Sequence, residues 1–151
     1  MKQKIRGFEP VIEIMRKNSN EAILPQRGTE DAMAYDLIAP TDMVIKPGEI
    51  GKIWTDVKVY MQKNECFIIN VRSSQGGKVM LANTQGWIES DYYSSKENDG
   101  NLGIFLKNIG KEDYIIKRGD RVAQGAFFNF LVADNCNTKN KRTGGFGSTG
   151  V

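Results

Sequence analysis

The sequence has no histidine, and that absence removes more chemistry than any other feature of its 151 residues. Without imidazole there is no Ser-His or Cys-His nucleophile pair and little scope for zinc. A general base must then be a carboxylate, a lysine or a tyrosine. Cysteine is scarce: Cys66 and Cys136 lack metal-ligand spacing and read as free thiols of a reducing compartment. No run of about 18 apolar residues occurs and the N-terminus lacks an apolar signal core, so a soluble cytoplasmic protein without a membrane partner is expected. Charge of one sign is also scant. A formal charge of +3 suits a small anionic ligand and is too weak for a nucleic-acid platform.

Helical periodicity is nearly missing too. Strand-like runs occupy Val11–Met15, Met43–Ile45, Gly51–Met61, Cys66–Val71, Leu102–Leu106, Tyr114–Ile116 and Ala126–Val132, separated by turn clusters such as Lys46-Pro47-Gly48. Many short strands at close spacing predict a single all-β domain, a barrel or jelly roll. Around Ser74–Val79 a helix is conceivable, and two glycines keep it to a short helix or a turn.

Residues 1–140 form the expected barrel and 141–151 a separate glycine-rich arm. The arm, K-R-T-G-G-F-G-S-T-G-V, holds four glycines, three hydroxyl side chains, two cations and one aromatic. Glycines let a backbone approach an anion, arginine offers a planar fork to phosphate, and Phe146 can stack on a flat ring. Composition alone fits a disordered tail equally well.

Four further segments combine turns with polar groups: Ala34-Tyr35-Asp36-Leu37-Ile38-Ala39, Val71-Arg72-Ser73-Ser74, Asn83 to Tyr92, and Gly119-Asp120-Arg121-Val122-Ala123-Gln124. Taken singly, each has a plain reading. Arg-Ser-Ser at a strand end is commonly a solvated turn, Gly-Asp-Arg a β-turn closed by a salt bridge, Tyr92 a packing aromatic, and Asp36 a structural partner for an arginine.

In order and spacing, these four segments and the arm resemble the five motifs of the homotrimeric dUTP pyrophosphatase (dUTPase) family, from about Ala34 to the C-terminus. Lys4-Ile5-Arg6-Gly7-Phe8-Glu9 and the stretch Tyr93–Asn101 are similar to the variant of Gram-positive bacteria and their phages. The resemblance implies a distorted β-barrel or jelly roll forming a homotrimer, with active sites shared between subunits and each arm closing over a neighbour. It implies magnesium held through water by Asp36, and phosphates bound by Arg72, Ser73, Ser74 and Gln124. It puts uracil on the Asn83–Gly86 hairpin and deoxyribose on Tyr92. Arg142, Gly147, Ser148 and Thr149 would take the outer phosphates, while Phe146 stacks over the base.

The implied reaction is attack of water on the α-phosphorus of dUTP, giving dUMP and pyrophosphate, with a carboxylate activating the water. Members usually carry aspartate there; this chain has Glu89, and one extra methylene can displace a reacting group by ~1 Å. Ala34, Val71 and Trp87 also depart from the usual glycine, proline and smaller aliphatic residue, and Trp87 is expected to need extra room in the barrel. Two other readings remain. One is a dUTP-binding regulator with little turnover, meeting a repressor protein if phage-encoded. The other is the sister enzyme dCTP deaminase, whose catalytic glutamate would fall in Gly103-Ile104-Phe105-Leu106, where no acid is present.

Overall fold

Alternating burial accounts for most of the strands. In Ile50–Trp54, Gly51 and Ile53 face inward while Ile50 and Lys52 face solvent, and Glu65–Asn70 buries Glu65, Phe67 and Ile69 in the same rhythm. The computed structural model describes residues 3–150. In chain order its strands are β1 (Gly7–Pro10), β2 (Gln26–Arg27), β3 (Tyr35–Ile38), β4 (Met43–Ile45), β5 (Ile50–Trp54), β6 (Val57–Tyr60), β7 (Glu65–Asn70), β8 (Val79–Leu81), β9 (Gly86–Glu89), β10 (Gly103–Asn108), β11 (Tyr114–Ile116) and β12 (Arg121–Asn129). Three single 3-10 turns complete the regular structure, and no α-helix occurs among the described residues. Nor is any helix there long and apolar enough to cross a membrane.

All pairings are antiparallel. A five-stranded sheet runs β2-β3-β12-β7-β9, a three-stranded sheet runs β5-β10-β8, and β1-β6 and β4-β11 form two ribbons. Their inner faces share one core, in which Leu37, Phe67, Leu102 and Leu106 are buried. Phe8, Tyr35, Phe67 and Phe127 pack as tilted or edge-on aromatic pairs between β1 and the large sheet. Gly125 lets β12 cross this cluster, since a Cβ there would stand 2.4 Å from the Phe67 ring. The all-β expectation therefore holds.

Several boundaries differ from the sequence reading. Val11–Met15 is not a strand. Pro10 ends β1 and lacks the N–H that a longer ladder needs, and the Ile12 N–H is drawn away to the Asp99 carboxylate at 2.9 Å. Val11 is then buried from a loop, and Glu13–Met15 form a 3-10 turn with Ile14 in solvent. The run Gly51–Met61 breaks into β5 and β6 at Asp56, whose φ of 55° lies in the left-handed region. Ser73–Gln75 is one 3-10 turn, so the conceivable helix is a turn. The last strand starts at Arg121 and stops at Asn129, leaving Leu131 and Val132 exposed beyond it.

Asp56 is the anchor of a buried polar knot. Its carboxylate accepts from the backbone N–H groups of Lys17 (2.8 Å) and Asn18 (2.9 Å) and from the side-chain amides of Asn18 and Asn101 (both 2.8 Å). Asp56→Ala strands all four donors and puts a less tolerant residue at positive φ. We expect a stability loss of about 3 kcal/mol, read as a fall in the urea midpoint at unchanged slope.

Candidate active site

Strand β9 builds the floor of a cavity. Gly86 lies close against β7, where a Cβ would meet that of Ile69 at 3.2 Å. The cavity of about 340 Å³ is bounded by Asn83, Gly86, Glu89 and Tyr92 from below and by Arg142 and Phe146 of the arm from above. The expected hairpin at Asn83–Gly86 is not formed, because Asn83–Gln85 do not join two strands of one sheet. They carry the chain from β8, paired with β10, to β9, paired with β7, and Thr84 takes a positive φ of 65° to do so.

Tyr92 ends the 3-10 turn Ser90–Tyr92 and is only 5% exposed. Its hydroxyl donates to the Asn101 carbonyl and accepts from the Asn98 side-chain amide, both at 2.7 Å. Burial pushes its phenol up from the ordinary value, and the bond from Asn98 opposes that shift.

Glu89 closes β9, its side chain 46% exposed, with Oε2 3.1 Å from Nη2 of Arg142. The same guanidinium donates from Nε to Asp91 Oδ1 at 2.9 Å and from Nη1 to the Gly144 carbonyl at 3.3 Å. Arg142 thus spans two carboxylates and a carbonyl, and its side chain is 18% exposed. Further along the arm, Phe146 stacks on Phe105 with ring centroids 4.9 Å apart and planes 15° from parallel, and meets Trp54 edge-on. Gly145 passes so close to Tyr92 that a Cβ would stand 2.7 Å from its ring. Phe146 and Gly147 both have positive φ, and the turn they make buries Ser148 Oγ without a hydrogen-bond partner. Thr149 is exposed.

A second group gathers on the other side of β7, along β12 and β3. Asp36 on β3 pairs in register with Gln124 on β12. Arg72 Nε donates to Asp36 Oδ1 at 2.8 Å, and Arg121 Nε lies 3.7 Å from Oδ2. Gln75 secures the turn bearing Ser73 and Ser74: its Oε1 accepts from the Arg72 N–H at 2.8 Å, and its Nε2 donates to the Val122 carbonyl at 2.9 Å. Asp36, Arg72, Arg121, Gln124 and Gly28 border an open depression of about 510 Å³. Two guanidiniums around one carboxylate leave it cationic, as an anion site requires.

The anticipated residues therefore fall into two groups, and no residue borders both cavities. Asn83, Gly86, Glu89, Tyr92, Arg142 and Phe146 line the first. Asp36, Arg72 and Gln124 line the second, with Ser73 and Ser74 on the adjoining turn. Two further details depart from the sequence reading. Asp120 closes its turn by accepting from the Lys117 N–H at 2.8 Å, so the Gly-Asp-Arg turn has no salt bridge and Arg121 is released to Asp36. Trp87 needs no room inside the barrel: it points outward, 68% exposed, donating to Gln85 Oε1 at 2.6 Å. Gln75 and Asn98, both tied to site residues, carried no compositional signal.

The thiols differ in a way that labelling can read. Burial, and then the nearby Glu89, push Cys66 up, whereas hydrogen bonding with the Thr138 backbone and side chain draws the exposed Cys136 down. Since the thiolate is the nucleophile, iodoacetamide at pH 8 should modify Cys136 at least tenfold faster than Cys66, as peptide mass spectrometry would show.

A cavity under an arginine-bearing arm, on an all-β protein that also carries a cationic depression, is an arrangement able to take an anionic ligand. Comparison with known proteins narrows that reading. A family model described as dUTPase matches residues 20–150. The deoxyuridine 5′-triphosphate nucleotidohydrolase of Lactococcus lactis subsp. lactis is 42% identical over 152 residues, covering 98% of this chain and 99% of its own. Its Helicobacter pylori (strain J99) counterpart is 29% identical over 160 residues, covering 100% and 98%. The crystal structure of dUTPase from Streptococcus mutans superposes with a TM-score of 0.76 at 34% identity, over 85% of this chain and 99% of that one. A mutant dUTPase from phage phi11 of S. aureus, described with a structural Mg(II) ion, shares the fold at 20% identity, with a TM-score of 0.68 over 91% and 98%. The chain belongs to the dUTPase family.

Proposed function

We propose that this chain hydrolyses dUTP to dUMP and pyrophosphate, with Glu89 as the base that takes the proton of the attacking water. The observation that carries the assignment of the base is the place of Glu89: a half-exposed carboxylate at the mouth of the Tyr92 cavity, already facing the arm's arginine. Uracil enters the cavity over Asn83 and Gly86, the Tyr92 ring lies under the deoxyribose, and Phe146 leaves Phe105 to cover the base. Arg142 exchanges Glu89 and Asp91 for the outer phosphates. That exchange frees the Glu89 carboxylate for general-base work at the α-phosphorus. Gly147, Ser148 and Thr149 add donors to the same phosphates, and the partnerless Oγ of Ser148 fits such a role.

Arg72, Ser73, Ser74 and Gln124 grip the phosphates nearer the sugar and absorb charge on the oxygens around the attacked phosphorus. They border a different cavity from Glu89, so a complete site takes residues from more than one chain. This favours the family's homotrimer, in which the Glu89 group of one chain meets the Arg72 group of another; the arm itself lies over its own chain's Tyr92 cavity, not a neighbour's. Asp36 offers a single carboxylate whose oxygens are shared with two arginines. With both oxygens so engaged, Asp36 does not by itself make a metal site; a magnesium ion would be held mainly by triphosphate and water, where it would supply further charge neutralisation.

Pyrophosphate release with dUTP, dTTP, dCTP and UTP in magnesium buffer tests the proposal. Turnover confined to dUTP is the expected result. Tight dUTP binding without turnover would favour the regulator, and ammonia release from dCTP the deaminase. Against the latter, Ile104 and Leu106 are buried aliphatics of the core in the strand where its glutamate would lie.

A further inference from the structure

We infer that Asn98 is a positioning residue for sugar selection: its side-chain amide fixes the Tyr92 ring and thereby sets the preference for a 2′-deoxynucleotide over the ribonucleotide. The inference rests on the reading of Tyr92 as the sugar platform. The orientation of the Asn98 amide follows from its surroundings. Oδ1 accepts from Ser95 Oγ at 2.9 Å and from the Gly100 N–H at 3.1 Å, which leaves Nδ2 as the donor to Tyr92 Oη. The Tyr92 proton is committed to the Asn101 carbonyl. Both polar capacities of the hydroxyl are therefore spent on one loop, and the far end of the ring is tied down.

That loop, residues 93–101, is itself rigidly mounted. Ser94, Asp99 and Gly100 adopt φ values of 56°, 57° and 80°. At Gly100 no other residue fits, because a Cβ would stand 2.6 Å from the Tyr92 carbonyl oxygen. Asp99 accepts from Lys58 Nζ at 2.8 Å and from the Ile12 N–H at 2.9 Å, which bolts the loop to β6 and to the N-terminal segment. Tyr93 donates to Glu9 Oε2 at 2.6 Å and sits edge-on to Tyr60. The segment thus works as a bracket whose free functional end is the Asn98 amide.

Selection against a hydroxyl depends on such a bracket. A wall that can retreat accommodates one extra oxygen, and apolar pockets reject an added hydroxyl only about a hundredfold. A ring held by hydrogen bonds at its far end cannot tilt away, so the clash with a 2′-hydroxyl is kept. Loss of one such bond should surrender about tenfold of that discrimination.

The test is kcat/KM for dUTP and for UTP in the wild type, Asn98→Ala, Tyr92→Phe, the double variant and Tyr92→Leu. Asn98→Ala should narrow the dUTP:UTP ratio about tenfold, mainly through a lower KM for UTP. Tyr92→Phe, which removes this bond together with the one to the Asn101 carbonyl and leaves the loop's own residues unaltered, should narrow it at least as much even if Asn98→Ala folds poorly. The double variant should go no further than Tyr92→Phe alone. Equal losses on both nucleotides with an unchanged ratio, in either single variant, would overturn the inference. Tyr92→Leu separates it from the reading beneath: an unchanged ratio there removes Tyr92 from the sugar, whereas a collapsed ratio there with unaffected Asn98→Ala and Tyr92→Phe refutes only the bracket.

Discussion

Glu89→Gln should lower dUTP turnover by about a thousandfold and leave dUTP affinity within a few fold. The amide keeps the shape of the side chain and the reach towards Arg142, but it cannot take a proton. General-base contributions run from about a hundredfold to ten-thousandfold. Affinity survives because Tyr92, Asn83 and the phosphate-binding arginines are untouched. Single-turnover kinetics beside equilibrium dUTP titration separates the two quantities. If Glu89→Gln retained a tenth of wild-type turnover, another group would be the base. Glu89→Asp carries complementary information: it retracts the carboxylate by one methylene from its 3.1 Å contact with Arg142. Faster turnover in that variant would mean that the longer side chain leaves this enzyme short of its best geometry.

Deleting residues 142–151 should likewise abolish hydrolysis, by about a thousandfold or more, without unfolding the barrel. The deletion removes a guanidinium, three hydroxyls, a stacking ring and the lid that excludes water from the charged intermediate. Its structural cost is small. The arm rests on the barrel through the Phe146–Phe105 stack, the Gly145–Tyr92 contact and the ion pairs of Arg142, and none of the largest buried side chains belongs to it. A thermal midpoint within a few degrees of the wild type, with turnover gone, is the expected pair of results. Retained turnover would remove the arm from the mechanism.

How much of this was legible in the sequence differs from residue to residue. Strands such as β4 and β11 were visible because apolar residues and turn punctuation coincide there. The strand placed at Val11–Met15 failed because Val11 is buried from a loop: a carboxylate 87 residues away captures the Ile12 N–H, and local pattern has no access to that. Trp87 failed for a related reason, since which face of β9 points inward depends on the register with β7. Site residues were recognisable as types of chemistry in sequence order. Their division between two cavities was not, because it depends on which neighbour of β7, β9 or β12, each segment is paired through. Arg121 was misjudged for the same reason: its partner lies across a bulged pairing of β12 with β3 and not within its own turn.

The bracket around Tyr92 also has a consequence in time. Its bolts join residues far apart along the chain, with Tyr93 to Glu9 spanning 84 positions and Ile12 to Asp99 spanning 87. Contacts of such separation pay the entropy of closing long loops before they return any enthalpy, and β-rich chains dominated by them fold in milliseconds to seconds. During synthesis β1 can pair with β6 once residue 60 has emerged, but Glu9 and Ile12 must wait for Tyr93 and Asp99. The wall that distinguishes one sugar from another is therefore fixed only after β1 and β6 have met, and a chain that has collapsed without closing these two long-range bolts would hold a nucleotide before it could choose one.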